Sequence, residues 1–125
     1  MLNLNSLLVF SDNPKKLVDF YSKILGKGPG WHGGNFAGWQ VGKGYLVIGP
    51  HDKVHGKSKQ PERIMFNFET GDVAGEFKRI KGMGATVIQK PYHPKEDDKD
   101  DPNGMIATFA DPDGNYFQIM SVMKM

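Results

Sequence analysis

Two apolar periods alternate along this chain, and the switches between them mark its elements. Residues 4–10 (Leu4-Asn5-Ser6-Leu7-Leu8-Val9-Phe10) read as a strand. Ser11-Asp12-Asn13-Pro14 follows as a helix start, with Asp12 or Asn13 placed to cap and Pro14 suited to the first helical position. Leu17, Phe20, Tyr21, Ile24 and Leu25 then recur at helical spacing, and Gly26 or Gly28 ends the helix. A glycine-rich aromatic segment runs from Gly28 to Gly38. Beyond it, Trp39-Gln40-Val41 and Tyr45-Leu46-Val47-Ile48 predict a hairpin across Gly42-Lys43-Gly44.

His51 to Pro61 is polar and reads as a linker, after which the order of elements repeats. Arg63 to Phe68 alternates as a strand. Thr70 to Met83 predicts a helix with Val73, Phe77 and Ile80 inward and Gly84 closing it, and Ala85 to Gln89 predicts a strand. Pro91 to Gly104 reads as a long acidic loop. Met105 to Ala110 and Tyr116 to Val122 predict a closing hairpin. The turn between them, Asp111-Pro112-Asp113-Gly114-Asn115, is the most informative stretch. Pro112 suits a turn's second position, and Gly114 supplies a positive φ. The strand that follows sets Tyr116, Gln118 and Met120 on one face and Phe117 and Ile119 on the other.

The expected architecture is α+β: a single domain over 1–125, with module one at 1–50, a linker at 51–61 and module two at 62–125. Each module is βαβββ, so one helix serves four strands. It covers one sheet face, and the other must pack on something or border a cavity. Two mixed sheets curving around a trough, with helices on the outer face, satisfy that requirement.

Two segments carry a resemblance to a known family. They are Ser11 to Gly26, with Asp19-Phe20-Tyr21 and Leu25-Gly26, and Asp111 to Asn115 with the strand after it. With the repeated element order, they make the chain resemble the vicinal-oxygen-chelate superfamily of glyoxalase I, extradiol dioxygenases, fosfomycin-resistance enzymes and bleomycin-resistance proteins. The resemblance implies the paired-module fold and a homodimer. It also implies metal-ligand positions on the first and last strands of both modules. The matched residues are Ser6, Val47 (or Ile48), Arg63 and Gln118. A hydroxyl, an alkyl group and a permanent cation are poor or impossible ligands, and Gln118 is a weak one. The expectation is therefore no metal and no other cofactor.

Composition narrows the function classes. A net charge of +2, with acid and base interspersed, gives no nucleic-acid footprint. The count of 0 Cys excludes disulfides, thiolate metal sites and cysteine nucleophiles, and fits a cytoplasmic setting. The first residues predict neither a signal peptide nor a membrane span. His32, His51, His55 and His93 all fall in predicted loops, and no pair has ligand spacing on one element. Glu96 to Asp101 lacks the glycine and the final glutamate of a calcium loop.

Alternation turns Ser6, Leu8, Tyr45, Val47, Arg63, Met65, Asn67, Tyr116, Gln118 and Met120 toward the trough. Apolar and aromatic groups with a few polar ones are the lining of an organic-ligand pocket. Trp31 and Trp39, set among glycines, offer flat surfaces for a planar ligand, and Arg63 offers a cation for an anionic one. The expected binding residues are thus Ser6, Trp31, Trp39, Val47, Arg63, Asn67, Tyr116 and Gln118. The expected function is metal-free binding of a small aromatic or anionic organic molecule, with no nucleic-acid or membrane partner. The alternative is a metal-dependent glyoxalase-like lyase, isomerase or dioxygenase. It needs ligands from unmatched positions such as His32 or His93, with a carboxylate or Gln moving the proton; His93 is separately the candidate for any acid–base chemistry.

Overall fold

Asn13 and Pro14 start the first helix as the sequence predicts. The Asn13 side chain accepts from the Lys16 amide, and Pro14 occupies the first turn of α1 (Pro14–Leu25). Asp12 does something else: its carboxylate accepts from the Gly56 amide at 2.7 Å and ties down the segment after the first sheet. At the other end Gly26 takes φ 72°, and the amides of Gly26 and Lys27 close the last turn onto Lys23 and Ser22. The computed structural model describes residues 1–94 and 104–122. Most of the acidic loop, with Glu96 to Asp101, lies outside the described residues.

The chain divides into two units, Met1–Lys57 and Ser58–Met125. In the first, β1 (Ser6–Phe10) and α1 precede β2 (Trp31–Gly33), β3 (Phe36–Val41) and β4 (Gly44–Gly49). The sheet order is β1-β4-β3-β2, with β1 parallel to β4 and the other pairs antiparallel. In the second, β5 (Phe66–Glu69) and α2 (Val73–Gly82) precede β6 (Thr86–Tyr92), β7 (Ile106–Ala110) and β8 (Tyr116–Met120). Its order is β5-β8-β7-β6, with β5 parallel to β8. The same order and pairing, shifted by four strands, give two βαβββ modules in an α+β fold. Among the described residues, no helix is long and apolar enough to cross a membrane.

Each helix covers one face of its own sheet. In unit one Leu17, Tyr21 and Ile24 are buried on α1, with Ala37, Trp39, Leu46 and Ile48 buried on β3 and β4. In unit two Phe77 of α2 rests on Phe109, ring centroids 5.4 Å apart. Phe109 stacks on Phe117 at 5.5 Å, and Phe66 and Phe68 extend the cluster.

Three expectations need correcting. The strand expected over 63–68 is β5, from Phe66 to Glu69. Pro61 opens a short 3₁₀ turn, Pro61–Arg63, closed by the Arg63 amide on the Gln60 carbonyl at 3.2 Å. Arg63 is thus exposed and off the strand. Trp39 belongs to the core. It is 1% exposed, pairs with the buried Leu46, and its indole N–H donates to the Lys27 carbonyl at 3.0 Å. It therefore leaves the set of ligand-facing residues. Finally, β6 runs on to Tyr92 through Pro91. An edge strand with register shifts between Val87 and Tyr92 accommodates a proline that donates no hydrogen bond.

The Asp111–Asn115 turn is built around one buried carboxylate. Asp111 Oδ1 accepts from the amides of Asp113 at 2.9 Å and Asn115 at 3.0 Å, and Oδ2 accepts from Asn115 Nδ2 at 3.0 Å. The Gly114 amide closes the turn on the Asp111 carbonyl with φ 79°. The Asp113 carbonyl in turn accepts from the Ser58 amide at 2.8 Å. Charge-assisted bonds of this kind contribute more than neutral ones, so Asp111→Ala is expected to cost about 3 kcal/mol in urea unfolding. Asn115→Ala, which keeps the backbone donors, should cost about 1 kcal/mol by the same measurement. Trp39→Phe should cost about 2 kcal/mol, because it opens core space and strands the Lys27 carbonyl.

Candidate functional site

With α1 and α2 each covering one face, the helix-free faces of the two sheets are where functional side chains can stand. Strand register says which residues share them.

In unit one, Trp31 pairs with Gly38, Gly38 with Val47, and Val47 with Leu8. These four make one row across β2, β3, β4 and β1, on the face opposite Trp39 and Leu46. The glycines make room for the indole. A Cβ on Gly38 would stand 3.3 Å from Trp31 Cε3, and one on Gly33 would meet the same ring. Trp31 is 53% exposed and Leu8 51%, with Tyr45 exposed and Ser6 half-buried in the next row. Ser6 pairs with Tyr45. At the far end a Cβ on Gly49 would overlap the Phe36 ring, which lies 6.2 Å from Phe10. His51 packs edge-on against Phe10 at 5.2 Å. The row has flat and aliphatic groups and no charge.

Unit two has the same row with different chemistry. Asn67 pairs with Gln118, Gln118 with Thr108, and Thr108 with Gln89. Gln118 Nε2 donates to Thr108 Oγ1 at 3.0 Å. Thr108 is 5% exposed, Gln118 is half-buried and Asn67 exposed. Tyr116 and Met120 flank Gln118 along β8. Equivalent rows are therefore apolar in one unit and a line of amides and a hydroxyl in the other.

The structure thus keeps Ser6, Trp31 and Val47 on one helix-free face, and Asn67, Tyr116 and Gln118 on the other. It removes Trp39 to the core and Arg63 to the turn before β5. Thr108 was missed. The signal was present: it is the one polar residue of the strand Ile106-Ala107-Thr108-Phe109-Ala110, and the turn at 111–115 sets it across from Gln118.

Register also gives the strand partners of the matched residues. The neighbour of Gln118 on β5 is Asn67, not Arg63, and the neighbour of Val47 on β1 is Leu8, not Ser6. The helix-free faces thus pair Leu8 with Val47 in one unit and Asn67 with Gln118 in the other. Two alkyl groups and two neutral amides do not fit a divalent transition metal. Among the described residues, no group of three or more His, Asp or Glu could hold one. His32 pairs with the buried Ala37, so it points away from the face that carries Trp31. His93 is half-buried beyond β6, and its Nδ1 has no hydrogen-bond partner among the described residues.

Comparison with known proteins places this geometry. Residues 7–120 match the family model described as a glyoxalase-like domain. No curated protein matches the sequence. Several solved structures share the fold. A glyoxalase/bleomycin resistance protein/dioxygenase family enzyme from Burkholderia phytofirmans PsJN superposes with TM-score 0.73 at 19% identity, covering 98% of this chain and 100% of that one. A glyoxalase/bleomycin resistance protein from Catenulispora Acidiphila DSM 44928 gives TM-score 0.69 at 20% identity, covering 97% and 100%. A glyoxalase-related enzyme from Fulvimarina pelagi gives 0.73 at 16% identity, covering 98% and 89%. At these identities the structures speak for the fold, and the family match speaks for membership: the chain belongs to the glyoxalase-like domain family of the vicinal-oxygen-chelate superfamily.

Proposed function

We propose that this protein is a small-molecule-binding member of its family that works without a metal and holds an aromatic or anionic organic compound against the helix-free sheet faces. The observation that carries the reading is the chemistry of the strand pairs on the helix-free faces, Leu8 with Val47 and Asn67 with Gln118. These side chains offer apolar contact and neutral hydrogen bonds, which is how organic ligands are held. Trp31 supports the aromatic part, since its exposed indole lies over glycines beside Val47. Arg63, the cation expected for an anionic ligand, stands off the sheet in the turn before β5. A cytoplasmic homodimer belongs to the same reading. Outer strands β1 and β2 of one sheet, and β5 and β6 of the other, each leave one edge unpaired within the sheet. The metal-dependent lyase, isomerase or dioxygenase alternative draws on Gln118 alone.

Calorimetric titration of chelator-stripped protein with Zn²⁺, Ni²⁺, Mn²⁺ and Fe²⁺ should show no stoichiometric binding at micromolar affinity. Tight binding of any of them would overturn the metal-free reading and make His32, His93 and Gln118 the first residues to mutate. A planar aromatic ligand should quench the emission of Trp31, and Trp31→Phe should abolish the response. The buried Trp39 remains as an internal reference that acrylamide reaches poorly. Quenching that survives Trp31→Phe would place the ligand elsewhere.

A further inference from the structure

The polar row of unit two specifies the kind of ligand more narrowly than the fold does. Of the side chains that β5, β7 and β8 present on the helix-free face, Asn67, Thr108 and Gln118 are the hydrogen-bonding ones at its centre, and Glu69 is the single charged one. Glu69 sits beside Met120, one row from Gln118. The cation expected there from sequence, Arg63, stands in the turn before β5. Among the described side chains of β5, β7 and β8 on this face, an anion would meet a carboxylate and no cation.

The Gln118 carboxamide is also tied to its strand neighbour. Nε2 gives one proton to Thr108 Oγ1, and Thr108 is itself buried. That leaves a second N–H and the Oε1 acceptor for other partners. Among the described residues neither they nor the Asn67 amide has a protein partner. A carboxamide with both functions free pairs best with a group that offers an acceptor and a donor in the same plane. Tyr116 and Met120, two residues either side of Gln118 on the same face, give that group apolar flanks.

We infer that unit two recognises a neutral ligand bearing a planar donor–acceptor edge, such as a carboxamide, lactam or heteroaromatic amide attached to an apolar ring. Asn67 and Gln118 read the edge, and Thr108 is the positioning residue that fixes Gln118. The inference rests on the small-molecule-binding reading above and deepens it.

The test uses three probes that share one ring system: naphthamide, naphthoate and acetylnaphthalene. Binding to the full chain is followed by NMR through the side-chain amide signals of Asn67 and Gln118. Naphthamide should bind about tenfold more tightly than naphthoate or the acceptor-only ketone and shift both signals, as expected for one or two hydrogen bonds in a part-buried site. Gln118→Leu should level the three affinities. Thr108→Val removes the hydroxyl that holds Gln118 Nε2, so it should reduce the preference for naphthamide. Backbone amide spectra report that each variant is folded. Equal or tighter binding of naphthoate overturns the inference, and so does a preference that survives both variants. Either result leaves aromatic binding itself intact. Failure of all three probes to bind overturns the inference too. The separate quenching of Trp31 then decides whether the broader reading falls with it.

Discussion

Phe77, Phe109 and Phe117 stack from α2 into the second sheet, with ring centroids 5.4 and 5.5 Å apart in sequence along the stack. Strand side chains alternate strictly between faces, so burying Phe109 and Phe117 beneath the helix leaves Thr108 and Gln118 no choice but the opposite face. A slip of one residue in either strand would bring a hydroxyl or an amide under α2 and set a phenyl ring in their place. The aromatic stack therefore fixes the parity of the whole sheet, and with it the polar row Asn67–Gln118–Thr108–Gln89. Unit one obeys the same rule with different groups. Trp39 is anchored to the Lys27 carbonyl, Leu46 and Ile48 are buried beside it, and Gly38 and Val47 face the other way.

The two units share strand order and register but differ in what the equivalent row carries. Trp31, Gly38, Val47 and Leu8 give an apolar row without hydrogen-bonding side chains at its centre. Asn67, Gln118 and Thr108 give a surface on which unmet hydrogen bonds discriminate, and those are costly to leave unpaired once water is displaced. A repeated scaffold can diverge in this way because the core-facing positions carry the folding constraint. The helix-free positions are then free to take any chemistry that does not disturb the parity.

Much of this was readable from residues alone. Asn13-Pro14, Gly26, Asp111-Pro112-Asp113-Gly114 and the alternation after it are local signals, satisfied within a few residues of chain, and the structure has them where the sequence puts them. Gln118 and Val47 were placed on the correct faces for the same reason. The errors came where a longer-range or competing signal decided. Arg63 continues an alternating pattern toward Phe68, but Pro61 two residues earlier commits the chain to a 3₁₀ turn that ends at Arg63. Trp39 sits among glycines and aromatics that suggest a ligand platform. Which aromatic faces out depends on the β3–β4 register, and that register pairs Trp39 with Leu46 and Gly38 with Val47. Pro91 looked like a strand's end, yet an edge strand with a shifted register absorbs it.

The same register changes how the family's chemistry reads onto this chain. The residues matched through the family resemblance, Ser6, Val47 (or Ile48), Arg63 and Gln118, mix a hydroxyl, an alkyl group, a cation and an amide. Matching by strand partner pairs Leu8 with Val47 and Asn67 with Gln118, and each pair is chemically consistent: alkyl with alkyl, amide with amide. Consistency across a strand pair is what a shared environment selects, since directly opposed side chains sit within contact distance of one another. Two opposed amides, Gln118 half-buried and Asn67 exposed, bring donors and acceptors without charge. They suit a ligand's polar edge, whereas a divalent cation would ask the same positions for imidazole or carboxylate.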